Sequence, residues 1–540
     1  MAETPASGAN APFDPITLEV LWTRLVSTVD EAAAALVRTS FSTVVRDSHD
    51  FSCVITDAAG RSLVQATDSI PSFIGTLPAT IRHFLREIPP EELAPGDVLI
   101  TNDIWMGTGH LPDISVGKPI FFEGRLVGFA GSTAHAPDIG GKIRSPEPRE
   151  VFEEGFQIPI MKLMRAGEPD ETFFRLLRKN VRAPDEVVGD LYAQLTALDL
   201  MERRTVDVMR QYGLDDLGPL AAEIRTRSER AMRAAIRDLP DGTYTNEMPT
   251  DGLDVPVVLK VAVTIDGDEV RADFTGSSPQ VGKAINCAMC YTYAMTAYAV
   301  KCIAAPHLPN NEGSVAPIVA TAPERTIVNP VFPASGGSRA LIGHFIPALI
   351  FGALAEVAPE RTMAGVGSPL WCINLAGVKP DGKPFASLFF FNGGMGGTHR
   401  SDGQDCMSWP SNISSTPTEI IEQLSPMRIH HRRFRPGSGG VGTFRGGLGQ
   451  EVEVEFLNEA PAALAFLAER TRHAAPGVAG GAEGAFGRLE INGVPVDPKA
   501  QHIVRKGDRL LLATPGGGGY GNEGERRGEQ RERDDRMGYA

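Results

Sequence analysis

The chain has 540 residues, too many for one hydrophobic core, which predicts two to four domains. Apolar content of 42% and charged content of 22% are those of an ordinary globular protein, and a net charge of -15 excludes the basic surface that nucleic-acid binding needs. Six cysteines are too few for a disulfide framework and suit a reducing compartment, so a cytoplasmic location is expected.

Residues 1–13, MAETPASGANAPF, lack the basic and apolar regions of a signal peptide and read as a disordered leader. Leu18, Leu21, Trp22, Leu25, Val29 and Leu36 repeat at helical spacing, predicting a helix from about Pro15 to Thr39. FSCVITD and RSLVQA around AAG predict a hairpin. A second helix over about Leu77 to Glu87 leads into the strand DVLITN. ISVGKPIFF and RLVGFAGST around Glu123-Gly124 predict a further hairpin with a turn glycine. Residues 170–240 are mostly helical and charged, and a β-rich region opens near 245 with VVLKVAVTI and EVRADF. Ala340 to Ala358 is the most apolar stretch. His344 and Pro347 interrupt it, so a buried core helix is expected there and no membrane span. The charged tail from Asn522 is expected to be disordered. The fold class is therefore α+β and multi-domain, with mixed and antiparallel sheets. An N-terminal metal-binding α/β domain spans 14–244, a central α+β domain 245–434, a β-rich, glycine-rich domain 435–521, and the disordered tail 522–540.

Two HxxD motifs, His110-Leu-Pro-Asp113 and His135-Ala-Pro-Asp138, stand 25 residues apart. A hairpin centred on Gly124 sets Asp113 opposite His135, roughly 5 Å away, with His110 just outside. Asp50 opens one strand and Asp103 closes another, and both can reach this end. Imidazole and carboxylate ligands suit zinc, manganese or iron rather than calcium. The residues alone fit a divalent-metal site and a metal-free polar loop cluster equally well. Asp103 and Asp138 read either as groups orienting the histidines or as loop caps. Cys287 and Cys290 form a lone CxxC and read as buried, inert thiols. The glycine runs 437–449 and 516–521 lack GxxxxGK[ST] and the strand–GxGxxG–helix context, so they predict tight turns and close backbone packing, with no nucleotide site on this chain.

Nearly the whole chain resembles the hydantoinase B/oxoprolinase family, the HyuB-type subunits. The resemblance is carried by DPITLEVLWTRL, DFSCVITDAAG, GDVLITNDIWMGTGHLPDISV, GSTAHAPDIGG, VFEEGFQIP, NVRAPDEVVGDLYAQ, LPNNEGSVAPI, SSTPTEIIE, SGGVGTFRGGLG and TPGGGGYG. It implies a divalent metal (Zn, Mn or Fe) on Asp50, His110, Asp113 and His135. It also implies ATP handled by a separate HyuA-type ATPase subunit in a hetero-oligomer. The implied reaction is ATP-dependent hydrolytic opening of a cyclic amide (hydantoin, 5-oxoproline or a lactam). Asp138 or Glu154 would act as a base or orient water, and Glu154 reads equally as a surface cap. Arg182 and Arg339 read as substrate or phosphate clamps or as structural ion-pair residues. A ketone carboxylase component and a non-catalytic scaffold are the alternative readings. The chain departs from the family pattern in VVRDSHD before Asp50, where Asp47 and His49 are unusual neighbours.

Overall fold

A computed structural model describes residues 13–253 and 256–539. The expected leader lies almost wholly outside these residues. Asp14 caps the first helix, Pro15–Thr39, by accepting from the amides of Ile16 and Thr17, and Pro15 sits at its first turn, where no amide is needed. Its apolar stripe, Leu18, Leu21, Leu25, Val29, Ala32 and Leu36, is buried. The stripe packs against the helix Pro184–Tyr212, which ends on Gly213 in the left-handed region.

These two helices cover one face of a seven-stranded sheet. Its strands are β1 (Phe51–Asp57), β2 (Ser62–Gln65), β3 (Val98–Thr101), β4 (Asp113–Phe122), β5 (Arg125–His135), β6 (Met161–Arg165) and β7 (Glu168–Pro169), in the order β2-β1-β5-β4-β3-β6-β7. The helix Thr76–Glu87 covers the other face through Ile81 and Phe84, which pack with Leu99 and Phe129. With both faces covered, β1 and β4 read as nearly continuous buried runs rather than as alternating strands.

The second sheet holds β8 (Gly242–Thr250), β9 (Val257–Asp266), β10 (Glu269–Asp273) and β11 (Ile318–Thr321). Two further sheets follow. One is β13-β12-β16-β19, made of β12 (Trp371–Val378), β13 (Pro384–Phe391), β16 (Ala462–Leu467) and β19 (His502–Val504). The other is β14-β15-β20-β17-β18, from β14 (Met427–Phe434), β15 (Gln450–Phe456), β17 (Arg488–Ile491), β18 (Val494–Pro495) and β20 (Arg509–Ala513). The expected boundary between 434 and 435 does not hold. β12 pairs with β16 and β14 with β15, so segments on either side of it share two sheets and one core. Strand partners this far apart leave no trace in local periodicity.

The apolar stretch from Ala340 is two buried helices, Ala340–Gly343 and Phe345–Leu354, broken at His344. No helix among the described residues is long and apolar enough to cross a membrane. The glycine runs pack backbone against backbone. Gly440 donates to Gly517 at 2.8 Å, Gly517 to Gly447 at 3.0 Å and Gly518 to Gly365 at 2.8 Å. A Cβ on Gly394 would stand 1.8 Å from the Gly447 oxygen, which no side chain tolerates.

The tail corrects a second expectation. It forms a short 3-10 turn, Glu523–Glu525, and a helix, Gly528–Met537. Composition predicted disorder because the segment has little to bury, but charge pairing docks it. Arg526 donates to Asp402 at 2.7 and 3.0 Å and to Asp534 at 2.5 and 3.1 Å, and it is 9% exposed. Burial alone would raise the Asp402 carboxyl, but Arg526 and Arg445 outweigh it and hold it below 3.8. A depressed carboxylate contributes stability above its ordinary value and loses it as pH falls through the folded value. Asp402→Asn is therefore expected to destabilise the chain by about 2 kcal/mol at pH 7. Denaturant titrations should show that difference shrinking as the pH is taken below 3.8.

Candidate metal centre

The β4–β5 hairpin turns on Glu123 and Gly124, both in the left-handed region at φ 49° and 80°, as a two-residue turn of this hand requires. Phe122 pairs with Arg125 and Phe121 with Leu126. A bulge then shifts the register by one, so Ile120 pairs with Gly128 and the ladder runs on to Asp113 opposite His135. The turn lies half a residue short of the expected centre at Gly124, and the bulge makes up the difference. On the other side of β5, Phe51 pairs with Ala134, and the amide of His135 donates to the Asp50 carbonyl at 3.1 Å. Asp50, His135 and Asp113 thus form a row across three neighbouring strand ends. His110 closes over the row from the loop 102–112.

The side chains converge in a buried pocket. His110 Nε2 lies 2.7 Å and His135 Nδ1 2.8 Å from the same oxygen, Asp113 Oδ1. Asp50 Oδ2 is 3.8 Å from His135 Nδ1. Donor atoms of His110, Asp113 and His135 all fall within 4.8 Å of one another. Asp113 is locked from behind, because Oδ2 accepts from Thr108 Oγ1 and, at 2.8 Å, from Arg339 Nη2. Arg339 also donates to the Thr108 carbonyl at 2.6 Å and lies 4.1 Å over the Tyr291 ring. Gly109, at φ 97°, leaves room for it, since a Cβ there would stand 2.8 Å from Arg339 Cδ.

Two ring nitrogens in this pocket have no hydrogen-bond partner, His344 Nδ1 and His110 Nε2. His110 Nδ1 stands 3.3 Å from the Gly337 carbonyl, which directs the ring proton there. Nε2 lies 2.7 Å from Asp113 Oδ1 but out of hydrogen-bonding alignment with it, and it is shut off from solvent. A buried nitrogen lone pair beside a carboxylate oxygen is costly unless a cation lies between them. Burial and then Arg339 hold the His110 imidazole well below its ordinary range, so the ring is neutral. Burial would raise Asp113, but Arg339 and the hydrogen bond from His135 Nδ1 keep it well below the ordinary carboxylate range. Burial pushes the Asp50 carboxyl up to about 6. Neutral imidazoles and ionised carboxylates are the forms that bind a divalent transition metal.

The other residues singled out from sequence take different places. Asp103 caps its own loop, accepting from Trp105 N at 2.8 Å and Met106 N at 3.1 Å. Asp138 gives both oxygens to Arg182, one to its amide and one to Nη1 at 2.6 Å, so neither is a free base or a free clamp. Arg339, also read as a clamp, is spent on Asp113. Glu154 is buried, and its Oε1 accepts from Ser335 Oγ and from the amides of Gly336 and Gly337 at 2.6 and 2.8 Å. Its Oε2 has no partner, and burial raises its carboxyl. His49 and Asp47 pair with Asp68 and Arg46. Cys287 is buried, and burial pushes the Cys290 thiol up to about 11; the only metal-type cluster among the described residues is the one above.

Three residues at this centre were not found from sequence: Arg144 and His344 in the pocket wall, and Thr108 behind Asp113. His344 lines the pocket with Tyr291, its Nδ1 lacks a partner, and burial followed by Arg339 lowers it to about 3. Thr108 lies inside a motif that could have flagged it. Arg144 and His344 carry no spacing signal. The pocket adjoins a cleft, and His135 and Arg144 stand in the wall of both.

The hydantoinase B/oxoprolinase family model matches residues 14–523. A protein of Pseudomonas sp. (strain NS671), provisionally named as the B component of a D-/L-hydantoinase, is 32% identical over 96% of this chain and 92% of its own length. The beta chain of the caprolactamase of Pseudomonas jessenii is 31% identical over 94% and 91%. The crystal structure of the ATP-dependent caprolactamase from that organism superposes with a TM-score of 0.86 at 29% identity, over 98% of this chain and 94% of the other. A nucleotide-free acetone carboxylase gives 0.87 at 21% identity, over 97% and 78%, a likeness of fold alone. The chain is a member of the hydantoinase B/oxoprolinase family.

Proposed function

We propose that this chain is the metal-binding subunit of an ATP-dependent cyclic amidohydrolase, working with a HyuA-type ATPase subunit in the cytoplasm. The observation that carries this is His110 Nε2, a buried neutral lone pair aimed with His135 Nδ1 at one carboxylate oxygen and satisfied by no protein group. A divalent metal (Zn, Mn or Fe) on Asp50, His110, Asp113 and His135 would satisfy all of them. When bound, it supplies the Lewis acidity that makes water nucleophilic near neutral pH. Relatives named as subunits, and as hydantoinase, caprolactamase and 5-oxoprolinase, support cyclic amides as the substrate class.

An amide resists attack because its nitrogen donates into the carbonyl. Phosphorylation of the amide oxygen by the ATPase partner ends that donation and opens the carbon to water. The ring nitrogen, taking a proton, then leaves the tetrahedral carbon as the C–N bond breaks, and hydrolysis of the acyl phosphate that remains gives the carboxylate and inorganic phosphate. This chain's residues then have two tasks. Thr108 and Arg339 fix Asp113 so that only Oδ1 faces the reacting space, a preorganised arrangement. Glu154 lines the adjoining cleft with one oxygen anchored and one uncommitted, so it is the carboxyl we assign to orient water and take its proton.

Co-expression with a HyuA-type subunit tests the reading. ATP turnover is expected with hydantoin, 5-oxoproline or caprolactam, with matching ring-opened product. ATP use only with acetone plus bicarbonate would reject hydrolysis in favour of carboxylation. Glu154→Gln keeps an acceptor for Ser335, Gly336 and Gly337. It is expected to lower kcat by about 100-fold with KM little changed. An unaltered kcat would leave Glu154 as an anchor of the 335–337 loop only.

A further inference from the structure

The cleft beside the metal centre contains three cations, and two of them are neutralised. Lys142 pairs with Glu153 at 2.8 Å and Arg182 with Asp138 at 2.6 Å. The third, Arg144, has no carboxylate oxygen within ion-pair distance among the described residues. Its Nε donates to the Gly337 carbonyl at 3.2 Å, and its Nη1 lies 3.4 Å from His135 Nε2. A guanidinium has five N–H donors, so three stay unspent in a wall shared by the pocket and the cleft. A broader groove continues from the cleft through Pro137 and Arg182 and adds Lys179 and Lys379, neither of them ion-paired among the described residues. This is a locally positive approach on a chain of net charge -15.

The Arg144–His135 contact depends on which ring nitrogen carries the proton. As the structure stands, His135 Nδ1 donates to Asp113 Oδ1, which leaves Nε2 to accept from Arg144. A metal taken up on Nδ1 requires a lone pair there, and the neutral ring then carries its proton on Nε2. Two N–H groups would face each other across 3.4 Å, and Arg144 would lose its acceptor. We propose that Arg144 is the oxyanion-binding residue of this site: metal loading frees its guanidinium from His135 to hold a carboxylate or phosphoryl oxygen of the substrate in the cleft. Planar, forked donors suit either group. The inference rests on the proposed reaction for its choice of substrate and on the metal for its trigger.

The test separates binding from turnover. The chain alone, without partner or nucleotide, is titrated calorimetrically with inorganic phosphate and separately with 5-oxoproline, with and without one added equivalent of zinc. At least one of the two is expected to bind, more tightly with zinc. Arg144→Gln should weaken that binding at least about tenfold, or about 1.4 kcal/mol, while retaining the full zinc stoichiometry. A loss confined to 5-oxoproline identifies the substrate carboxylate as the ligand, and a loss that includes phosphate identifies the phosphoryl group. Equal binding by wild type and Arg144→Gln, or no binding of either probe by the wild type, overturns the proposal. Binding that ignores zinc overturns the release from His135. If Arg144→Gln loses binding but the complex opens no cyclic amide, the reaction proposed above falls and the oxyanion site stands.

Discussion

The centre depends on how one buried carboxylate is shared. Asp113 is 2% exposed, and a charge that deep is tolerated only if it is neutralised and fully bonded. Its two oxygens take separate work. Oδ2 faces Thr108 and Arg339, and Oδ1 faces the two imidazoles. Much of the surrounding structure follows from that division. Arg339 must be buried to reach Oδ2, so it lies on Tyr291 and against Gly109. The loop carrying it is anchored by Glu154, whose Oε1 gathers Ser335, Gly336 and Gly337. Gly337 in turn offers its carbonyl to His110 Nδ1 and sets which nitrogen of that ring is free.

The same geometry separates fixed from available charge. Arg339 and Arg182 are clamped by Asp113 and Asp138, so they shape the site without binding anything else. Arg144 is held only by a carbonyl and by a ring nitrogen that would gain the proton if His135 took a metal on Nδ1. A polar cluster evolved for stability alone would pair each of its guanidinium groups and satisfy His110 Nε2; this one leaves Arg144 without a carboxylate and Nε2 without a partner. The glycine-rich part serves the site indirectly. Its backbone packing leaves no room for side chains and joins the sheets whose β12 and β13 residues, Asn374, Leu375, Ser387 and Leu388, form the far wall of the cleft.

How much the sequence revealed depended on the range of each contact. The Asp113–His135 pairing was legible because a hairpin fixes its own register, although the turn and bulge that produce it had compensating offsets. Asp50 rested mainly on resemblance, because its position follows from the β1–β5 pairing, a contact between strands some 80 residues apart for which spacing gives no rule. The merged sheets across residue 434 were missed for the same reason. The tail was misread because composition counts apolar residues and not the carboxylate waiting outside it at Asp402. Arg144 and His344 reach the pocket from loop and helix-break positions with no periodic signature.

The most direct measurement is the transition-metal content of the chain purified without added metal, beside that of His110→Ala. The account predicts about one equivalent per wild-type chain and a loss of most of it in the variant, since one of four ligands and the buried lone pair are gone. Less than roughly a tenth of an equivalent in the wild type, unchanged in the variant and not restored by adding zinc, manganese or iron, would contradict it.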